Sequence, residues 1–461
     1  MIETFNFLPI ILTYIGLLSL AILTVNIPKH GKIIGHYLNL LATVSVLFLV
    51  DSTKEYQLTE LFVVGNLKLE FVQIIGIFNI IMAILNGSNT FAAVKSSLLI
   101  SFMYLGSIFF IGSTDFIGFF VSIELMSLMG YVLVALANKE WSKEAAVKYF
   151  IQGSIMTAIL LLGMAFFFVS TKSMSFLDIT VYNHELYGIS LVLMLIVTCF
   201  KIGAFPFHSW MPDVYANVDK GNLASNFLMT KLVIGFGMIS LLQKLLGEAD
   251  PNFQSIFLKC LLGISIISAL YGNLMGLAQK QFKRIIAYSS VAHSGYMLMT
   301  ICLIGSDGYE SQLMFYLVFY SVAATGALLL INNFVDASGE QDTYESLKGG
   351  FYKYGLSGFG LCLFVLSLAG MPLTSGFTTK YLLFANYFKE GFTVEALAVL
   401  ITSVIGLVYY IKFVVVLFIE NNNTVKETSI VELGNLRSQI ILFLFAIMVL
   451  VGGIAPSVFL K

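Results

Sequence analysis

Apolar runs of about twenty residues follow one another along nearly the whole chain, and only short polar segments separate them. A helix needs ~20 predominantly apolar residues to cross the hydrocarbon core of a bilayer. Of the 461 residues, 58% are hydrophobic and 11% are charged, whereas a soluble domain carries roughly 25% charged residues. We therefore predict an all-α polytopic membrane protein with about fourteen transmembrane helices. The predicted spans are 7–27, 33–50, 69–86, 95–112, 114–136, 146–169, 188–210, 222–245, 255–277, 282–305, 309–334, 351–388, 393–419 and 437–458.

The distribution of lysine and arginine between the loops predicts how the chain is oriented. With these boundaries, thirteen basic residues lie on the side that follows odd-numbered spans, and seven lie on the opposite side. Cytoplasmic loops carry the excess of basic residues, so we expect both termini outside. The first apolar run, Phe5–Val25, is long enough to be a span and has no basic segment before it, which argues against a cleavable signal.

Several classes of chemistry are not indicated by the sequence. The net charge of −1 and the lack of a long basic run argue against a nucleic-acid partner. The four cysteines lie in apolar segments without the spacing of a metal site or a disulfide framework. No nucleotide-binding glycine motif, HExxH motif or Cys/His cluster occurs. We expect this chain to hold no cofactor or metal and to do no electron chemistry itself.

Two predicted spans contain a proline beside polar residues, which predicts that each helix is broken there. Pro206 lies in the span 188–210, and Pro372 lies in the span 351–388. Unwound backbone at membrane depth survives only where protein or water satisfies its hydrogen bonds. Broken helices at corresponding positions of two halves mark the pathway of a transporter.

The two halves of the chain also resemble each other weakly. The segment ELMSLMGYVLVA begins at Glu124, SSVAHSGYMLMT begins at Ser289, and the Gly-Tyr pairs within them are 165 residues apart. An offset of five spans inverts the topology of the second copy, so we predict two inverted five-helix repeats. The predicted domains are 1–94 (three N-terminal helices), 95–245 (first repeat), 246–420 (second repeat) and 421–461 (C-terminal helix).

Ionisable residues lie deep within the predicted spans. Glu124 is about ten residues into its span, Lys201 precedes the first break, Lys231 is nine residues into the next span, and Lys380 follows the second break. Placing such a group at the bilayer centre costs at least ~2.5–3.5 kcal/mol on insertion scales. We therefore expect each one to have a structural or functional role. A static ion pair would account for Glu124 and one lysine but not for three lysines. Burial and mutual repulsion make a lysine easier to deprotonate, which favours a proton relay.

Three further residues have two interpretations each, and a fourth, Lys412, is not a candidate for the relay. His293 lies mid-span among hydroxyl-bearing residues and is either a hydrogen-bonded core histidine or part of a water wire. Lys148 either snorkels to the interface from near its span edge or belongs to the relay. His208, just past Pro206, either lines an access path or caps unwound backbone. Lys412 lies near the end of its span, and interfacial snorkelling explains it better.

Five segments resemble the antiporter-like subunits of respiratory complex I, most of all subunit N, called NADH dehydrogenase subunit 2 in mitochondria. They occur in the family's order and span residues ~95 to 415. The segments are 123–127 (IELMS), 144–150 (EAAVKYF), 199–215 (CFKIGAFPFHSWMPDVY), 283–293 (KRIIAYSSVAH) and 366–377 (LSLAGMPLTSGF).

The resemblance implies a role for each deep charge. Glu124 and Lys201 would form the family's glutamate–lysine pair, Lys231 would be the central relay lysine, and Lys380 would hand the proton onward. His293 is added to this relay as a bridge on its own surroundings, not on the resemblance. A lysine at position 380 fits subunit N, since the sister subunits typically carry a carboxylate there. The roughly 120 residues before Glu124 match the fourteen-helix form.

Two departures from the family's pattern matter. After the tryptophan-containing segment the family usually has Ala-Pro-Thr-Pro, whereas this chain reads ANVDKGN over 216–222, so the loop there is expected to differ in shape. The family usually has glycine before the relay lysine, but Thr378 and Thr379 precede Lys380 here. Close helix packing at that point is therefore in question.

The resemblance implies a proton-translocating membrane-arm subunit of a NADH:quinone oxidoreductase, driven by redox chemistry in other subunits. Its partners would be other membrane-arm subunits and the lipid bilayer. Its location would be an energy-transducing inner membrane, with the bacterial plasma membrane favoured over the mitochondrial one by the fourteen-span form. Two alternatives are a subunit of a multi-subunit sodium/proton antiporter or membrane-bound hydrogenase, which Lys380 disfavours, and a structural spacer, which the complete set of deep charges disfavours.

Overall fold

The described part of the chain is almost entirely helical. A computed structural model describes residues 4–27, 30–51, 54–59, 62–64, 67–136, 140–217, 229–303, 309–338, 342–419 and 436–460. Among these residues, twelve helices are long and apolar enough to cross a membrane. The all-helical, multi-pass fold predicted from the apolar runs is confirmed.

The helices of the first half follow the predicted spans closely. They are α1 (Leu8–Val25), α2 (Gly31–Leu49), α3 (Leu67–Asn86), α4 (Phe91–Gly112), α5 (Phe116–Ala135), α6 (Glu140–Thr171), α7 (His184–Ile202), α8 (Trp210–Asn217), a π-helix (Met229–Ile234) and α9 (Gly235–Gly247). Polar caps fix two of the starts. Thr90 accepts a hydrogen bond from the amide of Ala93 at 3.1 Å, and Asp115 accepts one from Gly118 at 2.9 Å, which satisfies amides that a helix start leaves open.

The second half contains the more divided helices. They are α10 (Pro251–Ala278), α11 (Phe282–Met299) with a 3₁₀ turn (Thr300–Leu303), α12 (Tyr309–Ser338), α13 (Tyr344–Leu347), α14 (Gly350–Tyr354), α15 (Leu356–Ala369), α16 (Ser375–Lys389), α17 (Thr393–Phe418), α18 (Leu436–Ile454) and a final 3₁₀ turn (Pro456–Val458).

Two predicted spans differ from single long helices. The span 351–388 contains all but the first residue of α14, then α15 and most of α16, and it is broken after Ala369. The span 222–245 begins outside the described residues and continues as the π-helix and α9. With the twelve long helices, these two account for the fourteen predicted spans. The predicted break near Pro206 is also present, since α7 ends at Ile202 and α8 begins at Trp210.

A small sheet was not predicted from the sequence. Strand β1 (Thr4–Asn6) pairs in parallel with β2 (Glu55–Thr59), and β2 pairs antiparallel with β3 (Phe62–Val64). Strands of three to five residues are too short for a period-two pattern to stand out beside long apolar runs. The sheet packs tightly against the end of α4, since a Cβ added to Gly112 would lie 2.3 Å from the Phe62 ring.

The chain divides into two compact units. The first contains Met1–Val197 and Gly221–Asp250, and the second contains Thr198–Lys220 and Pro251–Lys461. In the first unit α4 packs against α2, α3 and α5, and the π-helix packs against α4 and α5. In the second unit α10 packs against α11 and α17, and α12 packs against α15, α16 and α18. The four domains expected from the repeat pattern remain a prediction.

Asn79 ties three helices of the first unit together. Its side-chain amide donates to Thr43 on α2 at 2.8 Å and to Ser101 on α4 at 3.1 Å, while the Ser101 hydroxyl donates to the Asn79 carbonyl oxygen at 3.3 Å. Tyr14 on α1 donates to the backbone oxygen of Ser101 at 2.8 Å. Buried polar contacts of this kind hold membrane helices together in the absence of a hydrophobic driving force.

Replacing Asn79 with alanine is expected to lower the free energy of unfolding by ~1–2 kcal/mol, because the hydroxyls of Thr43 and Ser101 lose a shared partner. Thermal unfolding of the chain in detergent measures the change. Ser45→Ala is the matched control, since within the described residues the Ser45 hydroxyl bonds to Ala42 of its own helix, at 2.7 Å, and to no other helix. A loss no larger than that of Ser45→Ala would show that Asn79 does not join the helices.

Candidate functional site

Glu124 lies midway along α5 and is half-buried. The hydroxyl of Thr157 on α6 donates a hydrogen bond to its Oε1 at 2.8 Å. That hydroxyl also bonds to the backbone oxygen of Gly153 at 3.1 Å. The Glu124 carboxylate is therefore bonded to a hydroxyl that is itself anchored to α6. Pairing of Glu124 with Lys201 remains a prediction from the family resemblance.

Lys231 lies in the π-helix of the first unit, and its side chain is only 1% exposed. The π-helix packs against α5, the helix that carries Glu124. A π-helical turn inserts one extra residue and is found frequently at functional sites. The depth of Lys231 could be predicted from the sequence, but the π-helix could not, because no glycine or proline lies between Met229 and Ile234.

The first break follows Lys201 directly. Gly203 has φ of +71°, its amide bonds to the oxygen of Phe200 at 3.0 Å, and the Ala204 amide bonds to that of Cys199 at 2.6 Å. This pair of bonds is a Schellman motif, which ends a helix while satisfying its last carbonyls. Lys201, 4% exposed, therefore lies in the last turn of a helix that stops within the membrane.

Side chains of the second unit satisfy the remaining backbone groups at this break. The Trp210 indole donates to the oxygen of Phe200 at 3.1 Å, and the Ser294 hydroxyl donates to that of Ile202 at 2.7 Å. The amide of Phe205 donates to the hydroxyl of Ser268 at 3.1 Å. The peptide bond between Phe205 and Pro206 is cis.

His208 is 7% exposed and lies among aromatic rings. Its ring is stacked on Phe205 at 5.8 Å and lies 4.8 Å from Tyr271 and 6.3 Å from Tyr288, measured between centroids. Within the described residues its Nδ1 has no hydrogen-bond partner. The described side-chain contacts to the broken backbone come from serine and tryptophan, and both roles of His208 remain predictions.

The helix α11 connects this break to the next group of polar residues. Ser294, which bonds to Ile202, is adjacent to His293 in the chain. The Nδ1 of His293 lies 2.7 Å from the hydroxyl of Tyr316, and its ring stacks on Tyr320 at 4.4 Å. One turn further along α11, Tyr296 meets the His293 ring edge-on at 5.6 Å. The His293 imidazole, predicted to bridge the relay, is thus hydrogen-bonded and surrounded by aromatic rings.

The second break repeats the backbone pattern of the first. Gly370 has φ of +83°, its amide bonds to the oxygen of Ser367 at 2.9 Å, and the Met371 amide bonds to that of Leu366 at 3.0 Å. After the break, the Ser367 hydroxyl accepts a hydrogen bond from the amide of Gly376 at 3.2 Å. Pro372 lies between these helix ends, as predicted.

Lys380 folds back onto this break from α16. Its Nζ donates to the backbone oxygens of Leu368 at 3.3 Å and Ala369 at 3.0 Å, and to the hydroxyl of Ser403 at 3.1 Å. The three N–H groups of the ammonium thus each have an acceptor, and the carbonyls are at the negative end of the α15 dipole. Lys380 is 6% exposed, and its Nζ lies 5.5 Å from the centroid of the Tyr296 ring.

Tyr296 lies beside two of the predicted relay residues, and the sequence did not indicate this position. It contacts both His293 and Lys380, and its hydroxyl accepts a hydrogen bond from Asn273 at 3.1 Å and lies 3.3 Å from the hydroxyl of Thr402. The repeat comparison marked Gly295 and Tyr296 as a shared pair without giving them a role. Only the packing of α16 beside α11 reveals that role.

The two lysines near span edges lie away from these groups. Lys148 pairs with Glu144 at 2.8 Å, and both side chains are about half exposed, at 48% and 54%. The Nζ of Lys412 lies 4.4 Å from the centroid of the Tyr344 ring, and its side chain is exposed.

The two departures from the family pattern have different outcomes. The first departure is the segment 216–222, of which residues 218–222 lie outside the described residues. At the second, the hydroxyl of Thr378 donates to the backbone oxygen of Gly453 on α18 at 3.3 Å, and that of Thr379 to the oxygen of Gly376 at 2.9 Å. Close packing is therefore kept, with the glycine supplied by α18 instead of α16. In the described ranges, no group of three or more His, Cys, Asp or Glu residues could hold a metal ion.

A multi-pass helical protein with two helices broken inside the membrane and a buried lysine at each break is an antiporter-like ion-translocating membrane protein. A family model described as "NADH:quinone oxidoreductase/Mrp antiporter, TM" matches residues 113–406. The chain belongs to this family, and its resemblance to subunit N, inferred from the five sequence segments, is confirmed.

Relatives and solved structures agree with this membership. NADH-quinone oxidoreductase subunit N from Bdellovibrio bacteriovorus is 33% identical over 331 residues, which cover 69% of this chain and 67% of the relative. A chain of respiratory complex I from Thermus thermophilus with bound aureothin is 25% identical, with a TM-score of 0.80 and 98% of both chains covered. A chain of the Mrp complex from Dietzia has a TM-score of 0.78, covering 98% of this chain and 94% of that one, but at 16% identity it shows the fold alone.

Proposed function

We propose that this chain is a proton-translocating membrane-arm subunit of a NADH:quinone oxidoreductase, in which Glu124, Lys231, Lys201, His293 and Lys380 form the relay. The observation that carries the proposal is the setting of Lys380. A cation sits on the carbonyls of a helix that ends within the membrane, and one aromatic ring, that of Tyr296, contacts both this lysine and His293.

The setting of Lys380 accommodates both protonation states with little movement. The ammonium has three N–H groups and three acceptors: two carbonyl oxygens and the Ser403 hydroxyl. The neutral amine keeps two N–H groups for the carbonyls and gains a lone pair. A hydroxyl can donate as well as accept, so Ser403 can turn its hydrogen toward that lone pair. No carbonyl then loses its donor when the proton leaves, which is what a relay group needs.

The helix α11 supplies the connection between the two breaks of the second unit. Ser294 is bonded to the last residue of α7, next to Lys201, and His293 and Tyr296 continue along the same helix toward Lys380. The His293–Tyr316 contact can be made with either partner donating, because neutral imidazole has one donor and one acceptor nitrogen. Protons would pass from the Lys201 side through this hydroxyl-rich stretch to Lys380.

The energy would come from redox chemistry in neighbouring subunits, which are the partners of this chain. The absence of nucleotide, cluster and haem motifs in the sequence supports a role without a redox site here. The bias of basic residues supports uptake from the cytoplasmic or matrix side and termini on the other face. At ~150 mV each outward proton needs ~3.5 kcal/mol for the electrical part alone, so the relay must be gated. The fourteen-span form favours a bacterial plasma membrane.

Replacing Lys201 or Lys231 with methionine is expected to lower the number of protons translocated per NADH oxidised. Methionine fills a similar volume without a charge, so it removes the titratable group while keeping most of the packing around it. Proteoliposomes of the assembled complex, with a pH-sensitive dye, give the ratio. Lys412→Met, at an exposed position, is the control. A wild-type ratio in both Lys201→Met and Lys231→Met would remove these residues from the relay.

A further inference from the structure

Two clusters of buried hydroxyl groups lie between α11 and α17. The first, which we call the Tyr409 cluster, consists of Ser289, Tyr409 and Tyr410, all of them fully buried. Ser289 and Tyr410 are hydrogen-bonded to each other, and the hydroxyl of Tyr410 lies beside that of Tyr409. Ser289 is about two helical turns beyond the start of α11. That start carries Lys283 and Arg284 and is predicted to face the side of proton uptake.

The second cluster adjoins the second break. This Tyr296 cluster consists of the hydroxyls of Tyr296, Thr402 and Ser403. The Tyr296 hydroxyl lies 3.3 Å from that of Thr402 and beside that of Ser403. Ser403 in turn accepts a hydrogen bond from the Lys380 ammonium at 3.1 Å. A proton that reached Tyr296 would therefore be one hydroxyl away from Lys380.

The side-chain amide of Asn273 on α10 lies between the two clusters. The Tyr409 hydroxyl donates to its Oδ1 at 3.0 Å. Its Nδ2 donates to the Tyr296 hydroxyl at 3.1 Å and to the backbone oxygen of Thr402 at 2.8 Å. Because a backbone oxygen only accepts, the amide nitrogen must face Tyr296 and the amide oxygen must face Tyr409. A Cβ added to Gly406 would lie 2.6 Å from this oxygen, so the glycine leaves room for the arrangement.

An amide does not pass a proton along a hydrogen-bonded line as a hydroxyl does. A hydroxyl accepts a proton on its oxygen and releases another from the same atom, whereas an amide accepts only on oxygen and donates only from nitrogen. A proton from Tyr409 would arrive on the oxygen of Asn273, and a different proton would have to leave from its nitrogen. That exchange leaves the side chain as an unstable imidic acid. The hydrogen bonds therefore continue from one cluster to the other, but proton transfer stops at Asn273.

Close packing of α10 against α11 leaves no space for a water molecule between their backbones beside this amide. A Cβ added to Gly272 would lie 2.4 Å from a backbone nitrogen of α11, and one added to Gly295 would lie 2.4 Å from a backbone oxygen of α10. Gly272 directly precedes Asn273, and Gly295 directly precedes Tyr296. The two backbones thus meet at the level of the amide, and no file of water can run between them there.

We propose that Asn273 is a proton barrier. With a proton-carrying group in its place, the two clusters would form one line from the start of α11 to Lys380 that passes neither Lys201 nor His293. Protons on Lys380 could then return along this line to the side from which they came. The amide keeps the hydrogen bonds that join the three helices and blocks the return. The inference rests on the proposed relay, in which Lys380 hands the proton onward.

Asn273→Asp is expected to open this line. A protonated carboxyl can accept a proton from Tyr409 on its carbonyl oxygen and release its own from the other oxygen to Tyr296. Proteoliposomes of the assembled complex, loaded with a pH-sensitive dye, are given a potassium diffusion potential with valinomycin in the absence of NADH. We expect passive proton entry several-fold faster than in the wild type. Adding Lys380→Met should return it to the wild-type rate, because the line ends at Lys380.

Two further variants separate proton transfer from packing. Asn273→Leu has nearly the same shape, carries no proton and loses the three hydrogen bonds. It should lower thermal stability and leave proton entry at the wild-type rate. Asn79→Asp makes the same change as Asn273→Asp at a buried amide of the first unit that also bonds to hydroxyls. It is the matched control and should leave proton entry unchanged.

Two results would overturn the proposal. Wild-type proton entry in Asn273→Asp would mean that a carboxyl opens no path at this position. An equal rise in Asn273→Leu would mean that the leak comes from lost packing and not from proton transfer. Failure of the relay itself is seen separately, as a wild-type number of protons per NADH in Lys201→Met and Lys231→Met.

Discussion

Replacing Lys380 with arginine is expected to slow proton transfer through this chain ~100-fold while leaving the complex assembled. Arginine keeps the positive charge and the N–H groups that satisfy Leu368 and Ala369. The ordinary pKa of arginine lies about two units or more above that of lysine, and two pKa units change the deprotonated population ~100-fold. A static cap tolerates this change, whereas a relay group that must release its proton does not. Proton translocation and NADH oxidation by proteoliposomes of the assembled complex measure the effect.

Lys380→Met completes the comparison. It removes the proton-carrying group and also leaves two buried carbonyls without a donor, which costs ~1–3 kcal/mol each. Methionine should therefore lower both thermal stability and translocation, whereas arginine lowers translocation alone. Lys389→Arg, nine residues later on α16 and exposed, is the matched control. Wild-type translocation by Lys380→Arg would make the ammonium a structural cap and remove Lys380 from the relay.

The spans and the two breaks could be predicted because each depends on local chemistry. Runs of apolar residues long enough to cross the bilayer mark helices whatever they pack against. Pro206 and Pro372 lack the N–H that a continuous helix needs, and both lie within the interrupted regions that the structure describes. Depth within a span is likewise a property of the sequence alone, which is why Lys201, Lys231 and Lys380 could be selected as buried.

The partners of these residues could not be predicted, because they come from other helices. Tyr316 is 23 residues from His293, and Ser403 is 23 residues from Lys380. The carbonyls that hold Lys380 precede it by 11 and 12 residues, and they face it only because α16 folds back beside the end of α15. The π-helix at Lys231 similarly depends on the packing around it, since no residue in that turn is a helix breaker.

The two breaks also differ in a way that motif reasoning did not anticipate. Both end in a glycine with a left-handed backbone and the same pair of amide bonds. At the first, Trp210 and Ser294 donate to the last carbonyls; at the second, Lys380 does so. The Lys380 ammonium therefore has a structural contact besides its proposed relay role, and variants there must be chosen to separate the two.

Gly370→Ala is expected to impair both folding and translocation, because this glycine is needed for two reasons. Its φ of +83° costs a residue with a side chain ~1–2 kcal/mol. In addition, an added Cβ would lie 2.9 Å from the Cδ and 3.2 Å from the Nζ of Lys380. The Lys380 side chain would have to shift, which lengthens its hydrogen bonds to Leu368 and Ala369, and a carbonyl that lost its donor would cost a further ~1–3 kcal/mol.

Gly391→Ala separates these two effects. Gly391 has the same φ of +83°, but a Cβ added there meets nothing within 4 Å. It should lower the free energy of unfolding by the backbone term alone and leave the number of protons per NADH unchanged. Thermal unfolding and translocation by the assembled complex would then show a larger stability loss, and a translocation defect, only in Gly370→Ala. If the two variants behaved alike, the position of the Lys380 ammonium on the broken helix would not matter for proton transfer, and the relay would have to bypass this break.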